Sequence, residues 1–200
     1  DHATAWDSDR QQMIVFGGSV AQGLLNDIWE LSLVGGGGWT AVVPAGPAPQ
    51  PRSSASAVYD RARDRLLVYG GQVNGGLPQS EVWALSPGVT PAWTLLAVAG
   101  NPPRRMWHTA VYDPVRDRML VFGGWDEFYA FRNDVWALSL QGTPTWSVLP
   151  VSGTLPSPRR NHAAAYDPVR DRMVVFGGSD PTGPRNDVWA LDLGTGPGWS

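Results

Sequence analysis

The chain has 200 residues, a net charge of −3 and no cysteine. The small charge indicates neither a nucleic-acid nor a membrane partner. Without cysteine, disulfides, thiolate metal ligands and a cysteine nucleophile are excluded. All 15 basic residues are arginine, and the bias toward Arg, Ala, Pro and Gly predicts a high-GC bacterial source. We favour a secreted or periplasmic location over a cytoplasmic one.

A double glycine recurs at intervals of 53 or 54 residues and ends a four-residue apolar run each time. The four copies are Gly17-Gly18, Gly70-Gly71, Gly123-Gly124 and Gly177-Gly178. Two tryptophans follow each copy at fixed distances, at Trp29 and Trp39, Trp83 and Trp93, Trp136 and Trp146, and Trp189 and Trp199. A period near 50 residues indicates propeller blades rather than a helical solenoid.

The third copy shows the order of elements within one unit. Its predicted elements are strand A (107–112), a charged turn (113–118), strand B (119–122), a loop (125–132), strand C (133–140), a turn (141–144), strand D (146–149) and a proline-rich connector (150–158). The double glycine is expected to end strand B with a positive φ or a close backbone approach. The charged turns alternate acid and base, so we expect solvated turns whose ion pairs contribute little.

These features together resemble a kelch repeat. The unit has a Pro-Arg-type lead-in, a His or small residue in strand A, the apolar run into Gly-Gly, a segment like Asn-Asp-Val-Trp and a lone Trp. The lead-in is seen at Pro51-Arg52, Arg104-Arg105 and Pro158-Arg159 and is missing before His2. The resemblance, which includes the central domain of galactose oxidase, implies an all-β fold: a β-propeller of four-stranded antiparallel kelch-type blades, with strand A innermost. A single array over residues 1–200 is predicted, with blades at about 1–43, 52–98, 105–149 and 159–200.

The resemblance also bears on how the array closes. Kelch propellers usually have six or seven blades, and both chain ends fall inside a repeat. We therefore expect either further blades in a longer chain or a homodimer that completes an eight-blade ring; a closed four-blade monomer is the third alternative.

Nine of the 11 tryptophans, the eight above and Trp6, are predicted to pack between blades. Trp107 and Trp125 are left over, and the loop that Trp125 begins is aromatic where its counterparts are small and polar. Exposed aromatic and Arg clusters anchor interfaces. The predicted contact residues here are Trp107, Trp125, Asp126, Phe128, Tyr129, Phe131 and Arg132. The alternative is a loop that folds over its neighbour and buries its rings.

Three arginines, Arg52, Arg105 and Arg159, precede strand A. The resemblance implies that they surround the channel mouth and bind acidic peptides. Arg104, Arg160 and Asn161 stand beside them, and several guanidinium groups around one concave mouth would bind carboxylates. The alternative, which the sequence favours, pairs each with the acidic residue of an Asn-Asp-Val-Trp segment or with a loop carbonyl.

Three histidines, His2, His108 and His162, share one repeat position. They lie on separate predicted blades without carboxylate or thiol context, so we predict no metal and no cofactor. No catalytic residue is assigned, because no nucleophile elbow, phosphate loop or zinc-protease motif is present.

The predicted function is a non-catalytic binding scaffold that presents loops to a protein or glycan partner. The alternatives are a metal- or sugar-binding enzyme domain and a purely architectural module.

Overall fold

The computed structural model describes residues 1–194 and 196–200, and its regular secondary structure there is β-strand apart from one 3-10 helix of three residues. The described chain divides into two compact units, Asp1–Ala97 and Val98–Ser200. Each unit contains two antiparallel sheets that follow the repeat. The predicted fold class, an all-β protein with four kelch-type blades, is confirmed.

The first unit has ten strands and one 3-10 helix, Arg61–Arg63, in a turn. The strands are β1 (Ala3–Asp7), β2 (Gln12–Val20), β3 (Gly23–Ser32), β4 (Gly38–Val42), β5 (Arg52–Ser53), β6 (Ser56–Asp60), β7 (Arg65–Tyr69), β8 (Gln72–Val73), β9 (Val82–Ser86) and β10 (Ala92–Leu95). Strands β1 to β4 form the first sheet in sequential order, and β6, β7, β9 and β10 form the second. Strands β5 and β8 pair separately.

The described residues of the second unit form eleven strands. They are β11 (Thr109–Asp113), β12 (Arg118–Trp125), β13 (Phe131–Ser139), β14 (Thr145–Val148), β15 (Ser152–Gly153), β16 (Ala163–Asp167), β17 (Arg172–Phe176), β18 (Ser179–Asp180), β19 (Gly183–Pro184), β20 (Val188–Asp192) and β21 (Gly198–Trp199). Strands β11 to β14 form the third sheet, and β16, β17, β20 and β21 form the fourth, to which β15 adds in parallel. Strands β18 and β19 form a hairpin.

Aromatic contacts join the two sheets of each unit. Phe16 of β2 meets Trp93 of β10 edge to face, with ring centroids 5.4 Å apart. In the second unit, Phe122 of β12 meets Trp199 of β21 at 4.8 Å. The last residue of the apolar run therefore packs on the second tryptophan of the following repeat, and both partners are buried.

The prediction that nine tryptophans pack between blades is only partly correct. Four at repeat positions are buried, namely Trp83, Trp93, Trp146 and Trp199. Three in the first sheet are exposed, namely Trp6, Trp29 and Trp39, at 48%, 40% and 52%. These three exposed tryptophans belong to the first sheet of the first unit. In that unit a tryptophan is covered by the sheet that precedes its own, as Phe16 covers Trp93, and the first sheet has no such neighbour within the unit.

The double glycines do not end strand B in every repeat. In the first and third sheets β2 and β12 continue through the glycines, with a register shift in their pairing at that point. The predicted positive φ is confirmed at Gly123 (63°) and Gly124 (88°). The predicted close approach is confirmed too, because a Cβ on Gly124 would lie 2.6 Å from the Met106 carbonyl oxygen. This contact brings the lead-in segment against the start of the loop.

Side chains of the charged turns form ion pairs between the two sheets of a unit. Arg10 of the first sheet donates to both carboxylate oxygens of Asp64 in the second, at 2.6 and 2.7 Å. The Tyr59 hydroxyl donates to the same carboxylate at 2.5 Å. In the second unit, Arg116 binds Asp171 in the same bidentate way. The turns thus link the two sheets of each unit, a role that the sequence analysis did not assign.

Candidate functional site

The buried arginines of the lead-in segments are structural. The Arg52 guanidinium is 1% exposed and donates to the Gly70 carbonyl at 3.0 Å and to Glu81 at 2.9 Å. Its Nε donates to the Gln50 carbonyl at 3.1 Å. Every nitrogen of this guanidinium is therefore engaged within its own repeat.

Arg159 and Arg105 follow the same scheme. Arg159 is fully buried and contacts both oxygens of Asp187, at 2.6 and 2.9 Å, and the Gly177 carbonyl at 3.0 Å. This guanidinium holds the pKa of Asp187 below its usual range. Arg105 is 3% exposed and contacts Asp134 at 2.5 Å. These contacts are the pairing that the sequence favoured for Arg52, Arg105 and Arg159, and burial together with pairing removes the three guanidinium groups from the surface.

The loop of residues 125–132 is organised by a buried carboxylate. Asp126 is 5% exposed, and its Oδ1 accepts from the backbone amides of Phe128 and Ala130, each at 2.9 Å. Its Oδ2 accepts from Arg132 Nε at 2.7 Å. Burial alone would raise the pKa of Asp126, but the hydrogen bonds from Ala130, Arg132 and Phe128 keep it below the usual value. Asp126 was predicted as a contact residue; instead it lies beneath the loop and fixes its shape.

The aromatic residues of this region form one cluster around Trp125. Its ring centroid lies 5.0 Å from that of Trp107, 5.4 Å from that of Phe131 and 5.9 Å from that of Tyr129, all edge to face. Such pairs stabilise a fixed arrangement beyond simple area burial. The loop therefore does fold over a neighbouring segment, as the alternative interpretation expected.

Part of the loop nevertheless remains on the surface. Phe128 is 77% exposed and Tyr129 is 53% exposed, whereas Trp107, Trp125 and Phe131 are half-buried. Nearby, Arg104 pairs with Glu127 at 3.3 Å. The structure thus combines a packed aromatic base with two protruding rings.

The cluster holds the side chain of Arg160, which was noted beside the other arginines but not assigned to the site. Its guanidinium carbon lies 4.0 Å from the ring centroid of Trp125, 4.7 Å from that of Trp107 and 5.5 Å from that of Phe131. Cation–π distances of this kind are favourable. The signal in the sequence is that Arg160 replaces Ser53 and Met106 of the other repeats.

Backbone contacts between lead-in segments bring Arg160 to the cluster. The Asn161 amide donates to the Trp107 carbonyl at 3.0 Å, and the Gly124 amide donates to the Arg159 carbonyl at 2.8 Å. These bonds place the lead-in segments of the third and fourth sheets side by side. We call the set Trp107, Trp125, Phe128, Tyr129, Phe131 and Arg160 the Trp125 surface.

His108 and His162 are buried in the fold, whereas His2 is exposed. His162 Nε2 lies 2.8 Å from the Thr109 hydroxyl. Burial lowers the pKa of His108 to about 3 and that of His162 to about 4. Within residues 1–194 and 196–200, no three His, Asp or Glu side chains group as metal ligands. Nor does that part of the chain contain a helix long and apolar enough to cross a membrane.

Comparison with known proteins agrees with this architecture. The sequence model of the family described as "KLHDC2/KLHL20/DRC7 Kelch-repeats domain" matches residues 62–200. Adagio-like protein 3 of Oryza sativa subsp. japonica is 32% identical over 189 residues, which cover 89% of this chain and 29% of that protein. Multiple epidermal growth factor-like domains protein 8 of Mus musculus is 34% identical over 196 residues, which cover 94% of this chain and 7% of that protein.

The chain thus spans less than a third of the length of these relatives. Adagio protein 3 of Arabidopsis thaliana, at 30% identity, is matched over 28% of its length. These relatives come from plants and mammals, and the bacterial source expected from composition stays a prediction.

Proposed function

Because the chain belongs to the kelch-repeat family, we propose that it is a non-catalytic binding scaffold whose Trp125 surface contacts a protein partner. Kelch propellers typically mediate protein interactions. The observation that carries the proposal is the pair Phe128 and Tyr129, which protrude from a loop whose base is fixed by a buried carboxylate.

The physical argument is one of preorganisation. Asp126 and the Trp125 ring order the loop before any partner arrives, so binding costs little further conformational entropy. Aromatic side chains that stand on an ordered base supply large contact areas with few rotatable bonds. The loops at the same position in the other repeats lack this combination of residues.

A display library of peptides and folded domains, together with a glycan array, tests the proposal. The double variant Phe128→Ser/Tyr129→Ser is expected to weaken the affinity for the partner about tenfold or more, because it removes two exposed rings. The hydrogen bonds from the loop backbone and Arg132 to Asp126 stay in place. The matched control is Val115→Ser/Val169→Ser, which removes exposed apolar side chains from two charged turns.

Equal binding by both double variants would refute the Trp125 surface as the contact region. If the wild-type protein binds glycans but no peptide or folded domain, its partner is a sugar and not a protein. A wild-type protein that binds neither class would favour the architectural alternative.

A further inference from the structure

A cleft in the first unit, between its two sheets, contains a carboxylate that forms no hydrogen bond or ion pair with any described residue. The cleft has a volume of about 210 Å³, and the half-buried side chain of Glu30, in β3, lines it. Removing a charged group from water is costly unless a partner supplies charge or hydrogen bonds. The cleft is therefore a candidate site for a ligand that supplies both.

Glu30 departs from the repeat at a position that otherwise holds alanine. The equivalent residues are Ala84, Ala137 and Ala190, of which Ala84 and Ala137 are buried. Because side chains alternate along a strand, Glu30 lies on the same face of β3 as Ile28, which belongs to the core between the two sheets. A face that buries a methyl group in the other repeats thus carries a negative charge in the first.

A second departure from the repeat removes a cation from the same cleft. Gln12 occupies the position of Arg65, Arg118 and Arg172, whose Nε atoms each donate to the aspartate that ends strand A, at 2.8 to 3.1 Å. Gln12 keeps this contact through Nε2, which donates to Asp7 at 3.4 Å. Its side chain lines the cleft and is 8% exposed, and its Oε1 accepts no hydrogen bond from a described residue. The first repeat therefore has one more acid and one fewer cation here than the other three.

The remaining charges at the cleft do not neutralise Glu30. Arg10 also lines the cleft, but its guanidinium is shared between Asp7, at 3.0 Å, and both oxygens of Asp64, at 2.6 and 2.7 Å. Burial raises the pKa of Glu30, as does the Asp7 carboxylate, whereas Arg10 lowers it. The corresponding charges of the second unit are balanced; they are Asp113, Asp171, Arg116 and Arg118. The excess of negative charge in the first unit favours a cationic ligand.

The walls of the cleft fit an alkyl chain that carries the cation. They are formed largely by Val42, Leu85, Pro87 and Pro91. The prolines have no backbone N–H, so at these two positions the wall presents no amide donor to a cation. A primary ammonium is a compact charge with three donors, which suits one carboxylate and one amide oxygen. A calcium ion takes six to eight oxygen ligands, more than this cleft supplies from Glu30 and Gln12.

We propose that the cleft between the first two sheets binds an alkylammonium group, with Glu30 and Gln12 as its acceptors. The ammonium donates to the Glu30 carboxylate and to Gln12 Oε1, while its alkyl chain contacts Leu85 and the two prolines. The group belongs either to a lysine side chain of a partner or to a free alkylamine, since both present the same atoms. These 200 residues include no lysine, so none of them can fill the cleft. The cleft shares no residue with the Trp125 surface, and the two proposals are tested separately.

Two-dimensional amide NMR tests the site, because the side-chain amide of Gln12 reports from inside the cleft. We expect n-pentylamine to shift this signal saturably, in the millimolar range that suits one partly screened ion pair, with sodium chloride of equal ionic strength as the blank. Pentanol has the same chain without the charge and should not bind. An equal response to pentanol, or no saturable response to any amine, would overturn the proposal.

A lysine derivative distinguishes the two sources of the ammonium group. Binding of both n-pentylamine and N-acetyl-lysine methylamide identifies a lysine side chain, because the cleft then accepts a peptide backbone at the end of the alkyl chain. Binding of n-pentylamine alone identifies a free alkylamine as the ligand.

Variants of the two acceptors decide whether they hold the ligand. Glu30→Gln is expected to weaken the affinity for n-pentylamine about tenfold or more, because it removes the charge and keeps the size. Gln12→Arg restores the cation of the other repeats next to Glu30 and should abolish binding. Asp27→Asn is the matched control, since Asp27 is an exposed carboxylate of the same strand that does not line the cleft.

Unchanged affinity in Glu30→Gln would overturn the proposal, as would an equal loss in Asp27→Asn. Thermal unfolding of each variant checks that the fold is kept. If Glu30→Gln does not fold, Glu30→Ala decides in the same way, because alanine is the residue of the other three repeats and fits this face of the sheet.

Discussion

Removal of the carboxylate beside Arg159 should strongly destabilise the protein. In Asp187→Ala, a fully buried guanidinium loses two hydrogen bonds to carboxylate oxygens, and Trp189 Nε1 loses its acceptor at 2.8 Å. The Gly177 and Ser157 carbonyls still accept from Arg159, at 3.0 and 3.1 Å. The variant therefore tests the cost of a buried cation without its counter-charge.

The size of the expected loss of stability follows from how deeply Arg159 and Asp187 are each buried. Breaking a buried ion pair typically costs 3–5 kcal/mol, since one charge stays behind. Asp187 is 37% exposed, which screens the interaction, and the two carbonyls remain; we therefore expect the lower end, about 3 kcal/mol. Adding Arg159→Leu removes the stranded cation and should recover part of this loss.

The first sheet supplies a matched control at the corresponding position. Asp27 accepts from Trp29 Nε1 at 2.8 Å, but it is exposed and has no arginine partner among the described residues. Asp27→Ala should therefore cost about 0.5 kcal/mol.

Guanidinium chloride unfolding measures both variants by tryptophan fluorescence and far-UV circular dichroism. Because the chain has two compact units, free energies are compared only where both probes coincide. Equal destabilisation by Asp187→Ala and Asp27→Ala would refute the view that the buried guanidinium depends on its carboxylate.

Two further predictions concern the lead-in segment and the buried imidazole. Gly124→Ala should cost about 3 kcal/mol or more, because its Cβ would lie 2.6 Å from the Met106 carbonyl oxygen; Gly142→Ala, with positive φ but open space, should cost about 1 kcal/mol. Similar denaturation midpoints for the two would contradict the clash. For His162 the folded pKa is about 4 against an ordinary 6.5, so the unfolded state binds the proton first, and this group lowers the free energy of unfolding by about 3 kcal/mol as pH drops from 6.5 to 4. His162→Ala should make the pH dependence of stability shallower by this share, while His108, whose pKa is also lowered, keeps a slope of the same sign. Chemical unfolding at several pH values measures both, and an unchanged slope in His162→Ala would show that other groups cause it.

The repeat alone was enough to predict the fold, because the same apolar run, double glycine and tryptophans recur in register. What it could not show is which tryptophans are covered. Trp39 and Trp93 occupy the same repeat position, yet one is exposed and the other meets Phe16, since coverage depends on a neighbouring sheet and not on the residue itself.

The location of the candidate site could be predicted from the sequence, but the roles of some of its residues could not. The unusual composition of residues 125–132 identified the loop, and Phe128 and Tyr129 are indeed on its surface. Asp126 was assigned to the surface because a carboxylate in a loop is most often solvated. Here two backbone amides donate hydrogen bonds to it and hold it in a buried position. Arg160 was passed over because its distinguishing feature, the contact with three aromatic rings, depends on distant parts of the chain.

The connectors between repeats bear on the protein's behaviour at high concentration. The connector residues Ala45, Ala99 and Ser152 each donate a backbone hydrogen bond to the strand D region of the next repeat, at 2.7 to 2.9 Å. Each thereby covers part of the outermost strand of the second, third or fourth sheet, and a covered edge cannot recruit a strand from another molecule. Among the described residues, β4 has no such cover. Within these 200 residues β4 therefore offers an edge to which another strand could add, and a lysine or proline placed there should reduce self-association of a protein of this length.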